Sequence, residues 1–509
     1  MSAYDEFARR MARINDLCCV LNLLTWDAGT QMPPGGAETR GQQAATISAI
    51  AFETFTDPKT LELIRAAEAE VAGEDPDSYR RRAVEQARQA YEITRRVPAG
   101  VVSQLKELRP VTESVWARAR AGENFAAFAP YLERIVELNR RVADAMGYDE
   151  HPYDALLSRY EPGLTVSQLQ VLFAELRAGL DPILARAKAA PSPRIDFLTE
   201  RDYPEEAQRA FALEMVQKFG YDLNRGRLDP TVHPFEISFT RQDVRITTRY
   251  QRRWMPAAVF GAFHESGHAL YEQGADPALT RSALTTDLLD FYAVAGVSYG
   301  LHESQSRLWE NLVGRSRMFW ENHYGRLREY FPEQLADVEL EEFYRAINRV
   351  EPSFIRVEAD EVTYNYHIML RVEVEKRLIE GSLKVQDLPE FWREQMQSLL
   401  GITPPNDRLG PLQDIHWASG TIGSFPNYTL GNVMSAQFFE AACRQVPEME
   451  EALARADYRP LLAWLTENIY RHARAFLPDE LLRRSTGSPL NTGPYLRYLN
   501  RKYGELFPG

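Results

Sequence analysis

The five residues His264-Glu265-Ser266-Gly267-His268 constrain this chain more than any other stretch, because they act together only on a helix. At 3.6 residues per turn, two histidines four apart stand about 40° from each other, so both rings reach one ion. Glu265 lies about 60° further round the same side, near enough to take a proton from water held by that ion. The flanks agree with a helix. Pro256 suits a first turn, Val259, Phe260 and Phe263 give an apolar side, and Gly274 suits the C-terminal end. Two histidines turned toward an apolar interior cost desolvation unless something pairs them, and a metal does so, which a chance pair of core histidines would lack.

At 509 residues the chain exceeds a usual single domain, so two lobes or one large helical body are expected. A net charge of −13 argues against nucleic-acid and anionic-membrane partners. Three cysteines (Cys18, Cys19, Cys443) are too few for a disulfide framework, and no C-x-x-C pair offers a thiolate zinc site. The chain opens Met1-Ser2-Ala3-Tyr4-Asp5-Glu6 without a basic stretch before an apolar one. Leu17 to Leu24 is too short to span a bilayer. A cytoplasmic protein is the expectation.

Nearly everything before residue 225 reads as helix. Tyr79–Arg96 is a charged helix stopped by Pro98, Phe128–Met146 carries an apolar stripe, and Pro204–Phe219 is closed by Gly220. Residues 233–250 alternate and are rich in β-branched side chains, which predicts a small antiparallel hairpin upstream of the histidine helix. Such a strand offers an edge to a substrate backbone. Helix then resumes to the C-terminus, with a loop-rich interruption around residues 401–431. The fold class is therefore mainly α with a small antiparallel β-sheet near the metal site.

A catalytic zinc takes three protein ligands and keeps an open position. Glu272, Asp287, Asp290, His302 and Glu303 are the candidates for the third. Glu272 sits one turn beyond His268 and is too far along the axis, so it reads as an outer carboxylate. Glu303 is favoured: it lies in a helical run, Ala293–Gly314, whose Gly296 and Gly300 leave room for another helix to pack closely. Simple tight packing, with Glu303 paired only to Arg307, is the alternative.

His302-Glu303-Ser304-Gln305-Ser306-Arg307, following such a helix, resembles the M32 metallocarboxypeptidases, the thermostable carboxypeptidase Taq family. Four more segments resemble its signatures in order: Asp243-Val244-Arg245-Ile246-Thr247, Glu358-Ala359-Asp360-Glu361, Gly410-Pro411-Leu412-Gln413-Asp414-Ile415-His416-Trp417, and Phe425-Pro426-Asn427-Tyr428-Thr429-Leu430-Gly431-Asn432. A weaker likeness reaches Trp26-Asp27 and Arg40. The resemblance implies metal ligands His264, His268 and Glu303, with Glu265 as general base. It implies an elongated helical body with a deep groove, one catalytic domain over 1–509, and a homodimer. Residues 1–225 would form a helical lobe covering the groove and 226–509 the metal-bearing lobe. It also implies a zinc enzyme (cobalt in some members), one ion per subunit, that removes single residues from peptide C-termini. Two departures stand out: a longer segment between His268 and Glu303, residues 275–291, and Ser424, where the family more often has tyrosine. Tyr428 is then the nearby phenol.

Peptide hydrolysis also needs a donor for the developing oxyanion, for which His416 and Tyr428 are the candidates. An exopeptidase needs a cation for the substrate's free carboxylate, and an arginine supplies a bidentate fork. Arg356 matches a family position associated with substrate, with Arg245 as the competitor or as support; Arg245 alternates with Asp243 in the manner of an ion pair. Tyr364-Asn365-Tyr366-His367 is a further groove candidate, with a satisfied structural histidine as the alternative for His367. The reading is a metallocarboxypeptidase of broad specificity acting on peptides with a free C-terminus. A zinc oligopeptidase or endopeptidase, and a non-catalytic metal-stabilised peptide-binding scaffold, are the alternatives.

Overall fold

The computed structural model describes residues 1–508. Helices dominate, and three strands form one small sheet: β1 (Leu228–Pro230), β2 (Glu236–Thr240) and β3 (Asp243–Thr248). The expected hairpin is present as β2 antiparallel to β3, with Ile237 opposite Arg245 and Ser238 opposite Val244. The sheet is mixed rather than purely antiparallel, because β1 pairs in parallel with β3 to give the order β1-β3-β2. At three residues ending in proline, β1 carries no alternation that a sequence reading detects. Among the described residues, no helix is long and apolar enough to cross a membrane.

Two compact units arise, each from three stretches of chain. The first comprises Met1–Thr94, Pro193–Ile347 and Met434–Asn491; the second comprises Arg95–Ser192, Asn348–Val433 and Thr492–Gly509. None of these boundaries falls at residue 225, where the sequence suggested one. Contacts rather than chain order decide the units: the long first helix, Ala3–Thr30, packs on β2. Its Asn22 Nδ2 donates to Ser238 O (2.7 Å) and its Cys19 Sγ to Phe239 O (2.7 Å), so at both residues the free edge of β2 is already taken.

Helix limits follow local chemistry. The Tyr79–Arg96 helix is as expected. Asn124 caps the helix that ends at Met146 by accepting from Ala127 N, which starts it at Phe125 rather than Phe128. Gly220 adopts the left-handed conformation (φ 111°) that closes the helix ending at Phe219. The histidine motif lies on a helix spanning Met255–Gly274 with Pro256 in its first turn. Its apolar side is buried in the first unit's aromatic core, with Phe263 5.1 Å from Phe219 and 5.5 Å from Phe319 between ring centroids. Each such aromatic pair adds about 0.5–1.5 kcal/mol beyond area burial, which fixes the rotation of the helix and hence where His264 and His268 point.

Candidate metal centre

Glu303 reaches the two histidines from a second helix of the same unit. That helix begins at Tyr299, not Ala293, because the Ser298 hydroxyl accepts from Leu301 N (2.9 Å) and caps it. Gly296 therefore precedes the helix, where it makes room for the His302 ring: a Cβ there would stand 2.3 Å from His302 Cδ2. Close approach of the two helices depends instead on Gly267, inside the histidine motif itself. A Cβ at that position would meet Gln305 O at 2.4 Å and Ser306 Cα at 2.6 Å.

His264 Nε2 lies 3.6 Å, and His268 Nε2 3.4 Å, from Glu303 Oε2. All three ligand atoms fall within 4.8 Å of one another. Donors about 2.0–2.1 Å from a tetrahedral zinc sit roughly 3.4 Å apart, so the trio fits a zinc-sized divalent ion. The other end of each ligand is occupied. Glu310 Oε2 lies 2.9 Å from His264 Nδ1, Arg307 Nε donates to Glu303 Oε1 (2.7 Å), and His268 Nδ1 meets His302 Nδ1 at 2.5 Å. The atoms left facing one another are His264 Nε2, His268 Nε2 and Glu303 Oε2, the last also accepting from the Ser306 hydroxyl (3.2 Å).

Electrostatics agree with this arrangement. Burial works against the Glu303 charge, but Arg307 and the two histidines hold its carboxyl well below the usual range. Burial likewise lowers the His268 ring, to about 3, leaving it neutral as a ligand must be. Burial pushes the Glu265 carboxyl up to about 7, opposed by His264 and reinforced by Glu303 and Glu310; the Glu236 backbone donates to it. A buried carboxyl poised near neutrality suits general base and acid work.

Arg245 stays in this unit, tied by two hydrogen bonds (2.8 Å each) to Asp243 and stacked 4.4 Å from the Trp26 ring centroid. Its guanidinium is held in an ion pair with Asp243. The segment 275–291 packs on the first helix, with Arg281 paired to Asp16 and Asn15 Nδ2 donating to Thr286 Oγ1 (2.8 Å). Arg356, His416 and Tyr428 belong to the second unit. There Arg356, only 4% exposed, donates to Asp414 Oδ1 from Nε (3.0 Å) and Nη2 (2.8 Å) and to the Tyr364 hydroxyl (2.6 Å). Burial opposes its charge, yet Asp414 holds it protonated. His416 Nε2 lies 3.1 Å from the Tyr428 hydroxyl; burial lowers this histidine to about 4, so its ring is neutral at pH 7. His367 is fully buried and kept neutral by burial and by Arg371 and Arg356. Sequence reasoning missed Glu310, which stands two helical turns after Glu303, and Arg371, which shares Asp414 with Arg356.

A helix-borne H-E-x-x-H with a glutamate brought beside it from a second helix is a donor set that could hold a metal ion in the manner of a metallopeptidase. The chain belongs to the carboxypeptidase Taq (M32) metallopeptidase family, whose sequence pattern matches residues 6–503. It is 43% identical to thermostable carboxypeptidase 1 of Thermus thermophilus, over 99% of this chain and 98% of that one. It is 39% identical to carboxypeptidase 1 of Bacillus subtilis over the same shares. The crystal structure of the M32 carboxypeptidase from Deinococcus radiodurans superposes with a TM-score of 0.95, at 42% identity and full coverage of both chains. The protein is a metal-dependent carboxypeptidase acting on peptides.

Proposed function

We propose that His264, His268 and Glu303 hold one zinc ion per subunit, with cobalt as the alternative, and that Glu265 is the general base and acid. The observation that carries this reading is the convergence of three ligand atoms at tetrahedral spacing beside a buried carboxyl. Bound there, the ion supplies Lewis acidity for the scissile carbonyl and acidifies water. Glu265 takes the proton of the attacking water on its carboxylate and passes it to the leaving amine. His416 and Tyr428, joined by a hydrogen bond, supply a donor to the developing oxyanion. Arg356 receives the substrate's terminal carboxylate, its fork already oriented by Asp414 and Tyr364. Specificity is broad, the assembly is a homodimer, and the location is cytoplasmic; three cysteines outside any disulfide support the last point.

The Arg356 role is tested by steady-state kinetics on a blocked dipeptide. Arg356→Gln is expected to lower kcat/KM by roughly 10- to 100-fold, mainly through KM, as loss of a charge-assisted hydrogen bond implies. Arg356→Lys should recover part of it. An unchanged KM in Arg356→Gln would remove Arg356 from substrate binding.

A further inference from the structure

His264 and His268 are equal partners in the motif but are supported differently. Behind His264 stands a carboxylate, Glu310, itself held by Arg315 (3.2 Å). Behind His268 stands another imidazole: His268 Nδ1 meets His302 Nδ1, and His302 Nε2 lies 2.9 Å from Glu272 Oε1. Glu272 is buried and fixed in turn by the Ala295 N–H, 2.9 and 3.0 Å from its two oxygens.

The geometry points to His302 and Glu272 as positioning residues that fix the tautomer and ring orientation of His268. The inference rests on His268 being a metal ligand. For His268 Nε2 to offer a lone pair, its proton must sit on Nδ1, and the atom facing Nδ1 is His302 Nδ1. That nitrogen accepts only if the His302 proton is on Nε2, where the Glu272 carboxylate receives it. Glu272 thus sets one neutral tautomer in each of two successive rings. The rings also form a row of nearly parallel planes that becomes a column: His268 lies edge to edge with His302 (4.6 Å between centroids), His302 against Tyr271 (5.3 Å), and Tyr271 against Tyr470 (5.1 Å). The Tyr470 hydroxyl donates to Gln305 Oε1 (2.9 Å), which ties the far end of the column to the helix that carries Glu303. Gly296 closes the open side, where any side chain would strike the His302 ring.

The test is zinc binding by the metal-free full-length protein, measured by competition with a chromophoric chelator. His302→Leu removes the acceptor and is expected to weaken zinc roughly 10- to 100-fold. His302→Asn keeps an acceptor near the Nδ1 position and should restore most of that affinity. Glu272→Gln, nearly identical in shape, should also weaken zinc while the metal-free protein melts as the parent does. Parent-like zinc affinity in both His302→Leu and Glu272→Gln, beside its loss in His268→Ala, would overturn the relay alone. Retention of parent affinity in His268→Ala would overturn the ligand assignment on which the relay rests.

Discussion

Glu265→Gln is expected to keep its metal and lose about 10²- to 10⁴-fold in kcat, the range for removing a positioned general base. The substitution preserves shape, and Glu265 is outside the trio of facing ligand atoms, so metal content should match the parent. What disappears is the proton acceptor. Burial holds this carboxyl near 7, so at neutral pH it both accepts and returns a proton, and an amide does neither. Metal analysis beside turnover on one preparation checks this. Loss of metal together with activity would make Glu265 part of the ion's own support.

Asp414→Asn is expected to be the most destabilising conservative change in the second unit, at about 3–5 kcal/mol. Asp414 is the carboxylate shared by two buried arginines. Arg356 reaches it at 2.8 Å, and the fully buried Arg371 donates to Oδ2 from Nε at 2.7 Å. An asparagine leaves both buried guanidiniums without their counter-charge. Although burial raises the Asp414 carboxyl, the two arginines hold it far below the usual range. Its contribution is therefore complete above the unfolded value of about 3.9 and fades only as pH falls toward the depressed folded one. Thermal melts of Asp414→Asn against parent at pH 7 measure the loss, and equal midpoints would show that the network carries no net stability.

The convergence of His264, His268 and Glu303 is legible because it follows from local periodicity on one helix plus a glutamate embedded in a recognisable stretch. The supporting contacts were less so. Asp243 and Arg245 alternate on one strand, and their ion pair could be read from that spacing, whereas the Trp26 ring that stacks on Arg245 comes from more than two hundred residues away. The role of Gly267 depends on the backbone of residues 305–306, which no local pattern reveals. The helix that carries Glu303 starts later than the run Ala293–Gly314 suggests, because the capping serine at position 298 marks its start. The motif around Gln413-Asp414 acquires its sense only in three dimensions. Gln413 accepts from Arg356 N (2.9 Å), Asp414 binds the Arg356 side chain, and Trp417 donates to Glu375 (2.8 Å). Unit boundaries were illegible for the same reason, as each unit gathers three distant stretches.

The most direct measurement is mass spectrometry of an N-terminally blocked peptide, with a free or an amidated C-terminus, after incubation with the metal-loaded protein. A ladder of single-residue losses from the free acid, with the amide left whole, is the predicted result. Internal cuts in both peptides would contradict the account, because hydrolysis would then proceed without reading a terminal carboxylate.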